Sequence, residues 1–148
     1  MVSNQSIETY TTCSDTETCR VGEALGRILP ANAVVAFFGD LGAGKTTFIR
    51  GLSIGVGCAD PRAICSPTFN LLNIYPGDKV VYHFDLYRLP REEEFFAAGF
   101  NEYFSLKGVC CLEWADKILN SLPENTIHVT LSYLGAESRR IEISRGLS

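Results

Sequence analysis

The sequence predicts an α/β fold: a three-layer sandwich whose central sheet is mixed and mainly parallel, with antiparallel additions. Three observations lead to this prediction. Short apolar runs such as Val34–Phe38 are typical of strands buried on both faces of a sheet. Segments with helical spacing alternate with these runs, as in βαβ units. Pro76-Gly77-Asp78 joins two neighbouring strand candidates and predicts a hairpin within the alternating pattern.

The first predicted helix starts at a capping pattern and leads to the first strand. Ser14-x-x-Glu17 is a pattern in which a serine and a glutamate satisfy amides at a helix N-terminus. Apolar residues continue at helical spacing to about Leu29, and Pro30-Ala31-Asn32 ends the helix. Val34–Phe38 follows as a strand, with a glycine-rich turn behind it.

The second helix comes directly after this turn. Thr46–Ile54 has helical character and is predicted to end at Gly55 and Gly57, before a connecting loop over residues 58–65. Arg91–Phe104 and Ala115–Ser121 are two further predicted helices. The remaining strands are predicted at Phe69–Tyr75, Val80–Phe84, Val109–Leu112, Ile127–Tyr133 and Arg140–Ser144.

Length, composition and charge limit the classes of function. The 148 residues fit a single domain, 1–148, with 46% hydrophobic residues and a mean hydropathy of +0.08. No apolar run approaches the roughly 20 residues that span a bilayer, and Met1–Gln5 lacks the features of a signal peptide. We therefore expect a cytosolic protein without membrane contact. The net charge of -4 disfavours direct coating of nucleic acid, so any nucleic-acid role is expected to be indirect.

The cysteines are predicted to be buried free thiols rather than disulfide partners or metal ligands. No C-x-x-C pair occurs, and adjacent cysteines on a strand point to opposite faces of the sheet. The six residues are Cys13, Cys19, Cys58, Cys65, Cys110 and Cys111.

The segment Gly39–Thr46 matches the phosphate-binding pattern G-x-x-x-x-G-K-[ST], between an apolar strand and a helix, so the fold is predicted to be P-loop NTPase-like. Glycines let the backbone curl so that successive N–H groups face a phosphate chain, and the helix adds its positive end. Lys45 is predicted to contact the β- and γ-phosphates, and the Thr46 hydroxyl to bind magnesium. The predicted nucleotide-binding residues are Gly39, Asp40, Leu41, Gly42, Ala43, Gly44, Lys45, Thr46 and Thr47.

Two carboxylates that end strand candidates are predicted to complete the site. Asp85 follows Val80–Phe84, and Glu113 follows Val109–Leu112. Ligands gather at the carboxyl ends of strands in an open α/β sheet, so both side chains are expected to face the phosphates. We favour Glu113 for metal contact or water positioning, with Asp85 supporting the site or polarising the water. The alternative for each carboxylate is to cap the next helix.

Further residues near these carboxylates have alternative roles. Ser66–Phe69 either touches nucleotide or metal or simply begins a strand. His83 shares a strand face with Asp85 and is predicted to fix that carboxylate rather than to carry protons. Arg88 is either an arginine finger or part of a surface ion pair. Trp114 either belongs to the core or stacks on a base or a partner.

Four motifs, in this order, closely resemble the TsaE (YjeE) family of bacterial P-loop ATPases, which act in tRNA threonylcarbamoyladenosine biosynthesis. They are Gly39–Phe48, Ser66–Phe69, His83–Arg88 and Glu113-Trp114. The resemblance covers nearly the whole chain, and four ordered motifs are far more specific than a P-loop alone.

The resemblance implies a slow, magnesium-dependent ATPase that works with the TsaD and TsaB proteins. These partners install a threonylcarbamoyl group on the adenosine beside the anticodon, and the ATPase is implied to reset their complex between turnovers and to meet tRNA only through it. By motif position, Lys45 resembles the phosphate lysine, and Thr46 and Glu113 resemble the magnesium residues. Asp85 and Trp114 resemble residues that support ATPase activity, so the implied catalytic set is Lys45, Asp85, Glu113 and Trp114.

A small-molecule P-loop kinase and a noncatalytic nucleotide-dependent adaptor are the alternatives. Such kinases normally have an arginine-bearing lid, whereas the acidic and aromatic run Glu92–Phe96 predicts a helix there instead. An adaptor needs nucleotide binding without turnover. No N-K-x-D pattern for guanine follows the P-loop, which together with the resemblance favours ATP over GTP.

Overall fold

The computed structural model describes residues 4–39, 43–65 and 71–147. Their strands join into one seven-stranded sheet with helices on both faces. The elements follow the chain in the order β1 (Asn4–Thr12), α1 (Asp15–Ile28), β2 (Ala33–Phe38), α2 (Lys45–Val56), a 3-10 helix (Pro61–Ala63), β3 (Leu72–Tyr75), β4 (Val81–Asp85), α3 (Glu92–Ala97), a 3-10 helix (Phe100–Ser105), β5 (Val109–Glu113), a 3-10 helix (Ala115–Ser121), β6 (Ile127–Tyr133) and β7 (Arg139–Leu147).

The sheet is mixed, as predicted, with strand order β1-β7-β6-β2-β5-β4-β3. Its four central strands, β4, β5, β2 and β6, run parallel to one another. The hairpin partner β3 on one side and the strands β7 and β1 on the other are antiparallel additions. The central strands β2, β4 and β5 are almost entirely buried, which explains their continuous apolar runs.

Two separate groups of buried side chains cover the two faces of the sheet. The first packs under α1 and α2 and includes Leu25, Phe37, Phe48, Ile49, Leu52 and Val129. The second packs under α3 and the two later 3-10 helices and includes Ala36, Phe84, Phe95, Leu112, Ala115 and Ile118. The chain is therefore the three-layer sandwich that the sequence predicts.

The capping pattern at the start of α1 forms as predicted. Ser14 Oγ accepts a hydrogen bond from Glu17 N at 3.1 Å, and Glu17 Oε1 accepts one from Cys13 N at 2.9 Å. The first bond satisfies a first-turn amide of α1, and the second fixes the backbone of the residue before the N-cap.

Glycines on α1 and α2 let the two helices touch backbone to backbone. Gly22 and Gly26 lie on α1, and Gly51 and Gly55 lie on α2, in both cases four residues apart. A Cβ built on any of them would lie between 1.9 and 2.3 Å from a backbone oxygen of the other helix. The prediction that Gly55 ends α2 is therefore wrong, because this glycine is needed inside the helix. The helix ends at Gly57, which has a φ of 103°.

Three other predictions about secondary structure differ from the structure. The strand β1 is not among the predicted strands, although its Thr, Ile and Tyr content favours a strand. The helix predicted at Arg91–Phe104 is interrupted at Gly99, whose φ of 77° ends α3 and begins a 3-10 helix. Ala115–Ser121 is a 3-10 helix with non-helical angles at Ile118. The described part of β3 begins at Leu72, while Phe69 and Asn70 of the predicted strand lie outside the described residues.

All six cysteines are free, but the prediction that they are buried holds for only two of them. Cys110 and Cys111 are buried in β5, and burial raises the pKa of the Cys110 thiol to about 12. Cys13 and Cys65 are exposed, and Cys19 and Cys58 are half-buried.

Among the helices in the described ranges, none is long and apolar enough to cross a bilayer.

A Gly51→Ala substitution tests the close contact between α1 and α2. In a solvent-exposed helix, replacing glycine by alanine raises the free energy of unfolding by about 1 kcal/mol, because alanine is the better helix former. Here the new Cβ would lie 1.9 Å from Cys19 O, so we expect the free energy of unfolding to fall by about 1–3 kcal/mol. Urea denaturation measures the difference. Gly135→Ala is the matched control, because its Cβ would meet only Ser138 Cβ at 3.9 Å; a stabilised Gly51→Ala protein would contradict the contact.

Candidate functional site

The predicted site residues meet where three central strands end. β2 leads into the glycine-rich turn, β4 ends at Asp85 and β5 ends at Glu113. Glu113 pairs with Phe37 on one side and with Asp85 on the other, so both carboxylates lie at the same edge of the sheet. This edge, at the carboxyl ends of parallel strands, is where open α/β sheets bind ligands.

The two glycines at the ends of the glycine-rich segment have positive backbone φ angles. Gly39 and Gly44 have φ angles of 137° and 97°, a region that favours glycine. Gly44 is the N-cap of α2, and no side chain caps this helix. The amides of Lys45, Thr46 and Thr47 lie in the first turn of this helix, where backbone N–H groups can bind an anion. Ala43 is fully buried behind them, while the predicted residues Asp40, Leu41 and Gly42 lie outside the described residues.

Lys45 is a buried cation held by the turn and by an aromatic ring. The residue is 5% exposed, its Nζ donates a hydrogen bond to Gly39 O at 2.9 Å, and the same atom lies 4.2 Å from the centre of the Trp114 ring. A desolvated cation over a tryptophan contributes about 2 kcal/mol of attraction. Beside the ammonium is a cavity of about 240 Å³ lined by Phe37, Phe38, Gly39, Lys45, Trp114 and Asp116.

Trp114 adopts a backbone conformation that is uncommon for a bulky residue. Its φ is 57°, and it joins the end of β5 to the following 3-10 helix. The left-handed turn places the ring between Lys45 and Tyr87, whose ring centre is 4.9 Å away. The side chain is half-buried, so it belongs neither to the closed core nor to the open surface. Strained backbone of this kind is concentrated at functional sites.

Glu113 is buried and bonded to His83. The glutamate is 4% exposed and the histidine 0% exposed, and His83 Nε2 lies 2.6 Å from Glu113 Oε2. His83 Nδ1 lies 3.1 Å from Tyr75 Oη. The prediction that His83 fixes Asp85 is therefore wrong: the carboxylate that it contacts belongs to the neighbouring strand. Tyr75 is a site residue that the sequence does not predict; its one signal is its place directly before the hairpin turn Pro76–Asp78.

Asp85 is half-buried at the end of β4. Its Oδ1 accepts a hydrogen bond from Tyr87 N at 3.0 Å, so it does cap the turn that follows. Burial raises the pKa of the Asp85 carboxyl above its ordinary value, and the neighbouring charge of Glu113 raises it further.

A metal ion at this edge would need ligands in addition to the side chains that the structure describes. Within the described ranges no three His, Cys, Asp or Glu side chains cluster tightly enough to hold an ion. Thr46 and Glu113 could supply two ligands to a magnesium ion, and phosphate and water would supply the others. Of the other predicted residues, Arg88 is exposed, and Ser66–Phe69 lies outside the described residues.

A larger cleft, of about 350 Å³, lies elsewhere, between α1 and the strands β1 and β7. Its floor is apolar and contains Val21, Leu25 and Ile143, and none of the predicted site residues lines it. We place the candidate site at the smaller cavity because Lys45, Trp114 and the turn meet there.

The raised pKa of Asp85 predicts a pH-dependent effect on stability. A folded-state pKa above the unfolded one means that the ionised carboxylate destabilises the fold, and this effect grows as pH rises from about 3.8 through the folded value. Asp85→Asn keeps an acceptor for Tyr87 N, so we expect its Tm at pH 7 to exceed that of the wild type by about 1–3 °C. The difference is expected to vanish below pH 4. Asp116→Asn, at an exposed position, is the control; a lower Tm for Asp85→Asn at pH 7 would contradict the prediction.

Comparison with known proteins assigns the chain to a family. A family model described as "Threonylcarbamoyl adenosine biosynthesis protein TsaE" matches residues 12–141. The chain is 41% identical to a tRNA threonylcarbamoyladenosine biosynthesis protein TsaE of Treponema pallidum over 128 residues, which are 86% of this chain and 93% of the relative. It is 35% identical to the protein of the same name from Bacillus subtilis over 133 residues, which are 89% and 82% of the two chains.

A solved structure has the same fold. The crystal structure of Bacillus subtilis YdiB superposes with a TM-score of 0.77 at 29% sequence identity, and the match covers 98% of this chain and 88% of the other. The family match spans both the strand-end carboxylates and the glycine-rich segment between β2 and α2. The chain thus belongs to the TsaE family, the proteins of tRNA threonylcarbamoyladenosine biosynthesis.

Proposed function

We propose that the chain binds ATP with magnesium and hydrolyses it slowly, in support of the complex that makes threonylcarbamoyladenosine in tRNA. In this proposal the partners are TsaD and TsaB, and ATP turnover resets their complex between rounds of modification. The protein meets tRNA only through that complex and acts in the cytoplasm. The net charge of -4 supports the indirect contact, because the chain has no excess of cations for a phosphate backbone.

The observation that carries the proposal is the position of Lys45. Its ammonium is buried next to the start of α2, beside a cavity at the carboxyl ends of β2 and β5. An ammonium group attracts negative charge, and a helix N-terminus adds its own preference for anions. A phosphate chain supplies the negative charge that both features favour.

Each residue of the site has a role in this proposal. Lys45 neutralises the β- and γ-phosphates, and the first-turn amides of α2 bind phosphate oxygens. Glu113, held by His83, contacts the metal or orients the attacking water. Asp85, less exposed than a surface carboxylate, supports the site from the next strand. Trp114 lies against Lys45 and closes one wall of the cavity. Magnesium, when bound, supplies charge neutralisation between the phosphates.

Tryptophan fluorescence tests the nucleotide site. Trp114 is the only tryptophan, and Lys45 Nζ lies 4.2 Å from its ring centre, so nucleotide that draws the ammonium toward phosphate must change the emission. We expect a saturable change when the wild-type protein is titrated with magnesium and ATP. Lys45→Met is expected to weaken binding by about 2–5 kcal/mol, because a buried charge contact with phosphate is lost.

Lys117→Met is the matched control for this titration. It removes an exposed lysine three residues after Trp114 and is expected to leave both the affinity and the emission change as in the wild type. Calorimetry under the same conditions provides an independent affinity. If the wild-type protein shows neither heat nor an emission change with magnesium and ATP, alone or with TsaD and TsaB, the proposal is wrong.

A Glu113→Gln substitution separates hydrolysis from binding. The change preserves the shape of the side chain and removes its charge, so we expect unchanged affinity for ATP and a fall in kcat of about 100-fold or more. Phosphate release with TsaD and TsaB present measures turnover, and threonylcarbamoyladenosine formation over many cycles measures pathway function. Full pathway function without hydrolysis would favour the adaptor alternative. A phosphorylated small molecule in place of free phosphate would favour the kinase alternative.

A further inference from the structure

A chain of hydrogen bonds runs from Glu113 through two buried side chains to the backbone of Cys65. His83 Nε2 lies 2.6 Å from Glu113 Oε2, and His83 Nδ1 lies 3.1 Å from Tyr75 Oη. Tyr75 Oη donates to Cys65 O at 2.8 Å and accepts from Cys65 N at 3.2 Å. Asn73 Nδ2 donates to the same carbonyl at 3.2 Å. One continuous path therefore joins the end of β5 to the segment that follows the first 3-10 helix.

Three adjacent strands present these side chains on one face of the sheet. Glu113 lies on β5, His83 on β4 and Tyr75 on β3. His83 pairs with Cys111, two residues before Glu113, and with Asn73, two residues before Tyr75. Residues two apart on a strand share a face, so the strand register alone brings the three side chains together. It is the face that α2 covers, since Tyr75 and Cys111 pack in the same core group as Phe48 of α2.

Because these three hydrogen-bonded side chains are buried, each depends on its neighbour for a hydrogen-bond partner. Tyr75, His83 and Glu113 are 5%, 0% and 4% exposed, so little water is present to replace a lost partner. Buried polar groups of this kind keep a hydrogen bond, and losing one leaves its partner unsatisfied. The Tyr75 hydroxyl lies within hydrogen-bond distance of both Cys65 O and His83 Nδ1, and Glu113 Oε2 lies at the other ring nitrogen of His83. The imidazole ring is thereby fixed at both nitrogens.

We propose that His83 and Tyr75 are positioning residues that hold the Glu113 carboxylate in the orientation needed for ATP hydrolysis, an inference that rests on the proposed function. Glu113 meets the reacting groups, while His83 and Tyr75 act only through it. Partners of this kind typically change activity by about 10–100-fold when they are removed, because the side chain that they orient becomes free to turn. A residue that merely filled the core would act on stability instead.

The test compares kcat and KM of four single variants and one double variant with magnesium and ATP, in the presence of the partner proteins. Tyr75→Phe removes one hydroxyl and keeps the ring, and His83→Asn removes the contact with Glu113. His83→Gln reaches the position of Nε2 and restores a donor to Glu113. The matched control is Tyr82→Phe, which removes a hydroxyl from a buried tyrosine on the opposite face of β4.

We expect His83→Asn to lower kcat by about 10–100-fold and Tyr75→Phe by about 10-fold, with KM and the Kd for ATP changed by no more than about twofold. His83→Gln is expected to recover part of the loss, and Tyr82→Phe to match the wild type. Because His83 and Tyr75 act in one chain, the double variant Tyr75→Phe with His83→Asn is expected to lose no more than His83→Asn alone. Near-UV circular dichroism verifies that each variant is folded.

Two results would overturn the inference. One is that Tyr75→Phe and His83→Asn, both folded, have the same kcat as Tyr82→Phe. The other is that the two losses multiply in the double variant, which would mean that the residues act independently. Failure of the proposed function looks different, since the wild-type protein with its partners would then release no phosphate from ATP, and the inference would fall with it.

Discussion

The backbone contact between α1 and α2 is the constraint on which the placement of the site depends. α2 begins at Lys45, so the position of this helix sets the position of the buried ammonium and of the first-turn amides. Glycines at the crossing remove the layer of side chains that normally separates two helices, which leaves rigid peptide groups in contact. Since backbone cannot change rotamer as a side chain does, the helix start is held closely in place relative to the sheet.

The edge of the sheet contributes the residues at the ends of β2, β5 and β4 to the candidate site. Parallel pairing of β2, β5 and β4 places the ends of three strands side by side, and the residues that follow them come from distant parts of the sequence. Lys45 and Glu113 are charged side chains that are almost fully buried. Lys45 contacts the Trp114 ring and Gly39 O, and Glu113 contacts His83. Charges that are oriented before a ligand arrives need little rearrangement during a reaction, which is the usual basis of electrostatic catalysis.

Local chemistry explains which predictions the structure confirms. The serine and glutamate of the capping pattern are three residues apart, so their hydrogen bonds follow once the helix begins. The buried strands are recognisable because both of their faces need apolar side chains. The strand β1 was missed because it pairs only with β7, so it is half-exposed and carries no continuous apolar run. The helix break at Gly99 was missed because the aromatic residues on both sides of it keep helical spacing.

The sequence by itself determined the phosphate-loop pattern, the strand–turn–helix context around it and the two carboxylates that end strands, because each depends on residues close together in the chain. Only the tertiary structure decided that His83 meets Glu113 rather than Asp85, that Tyr75 joins them, and that Trp114 lies under the lysine. These contacts depend on strand register and on a left-handed turn after β5. A single sequence does not specify such pairings, since they arise from how separate segments pack against each other.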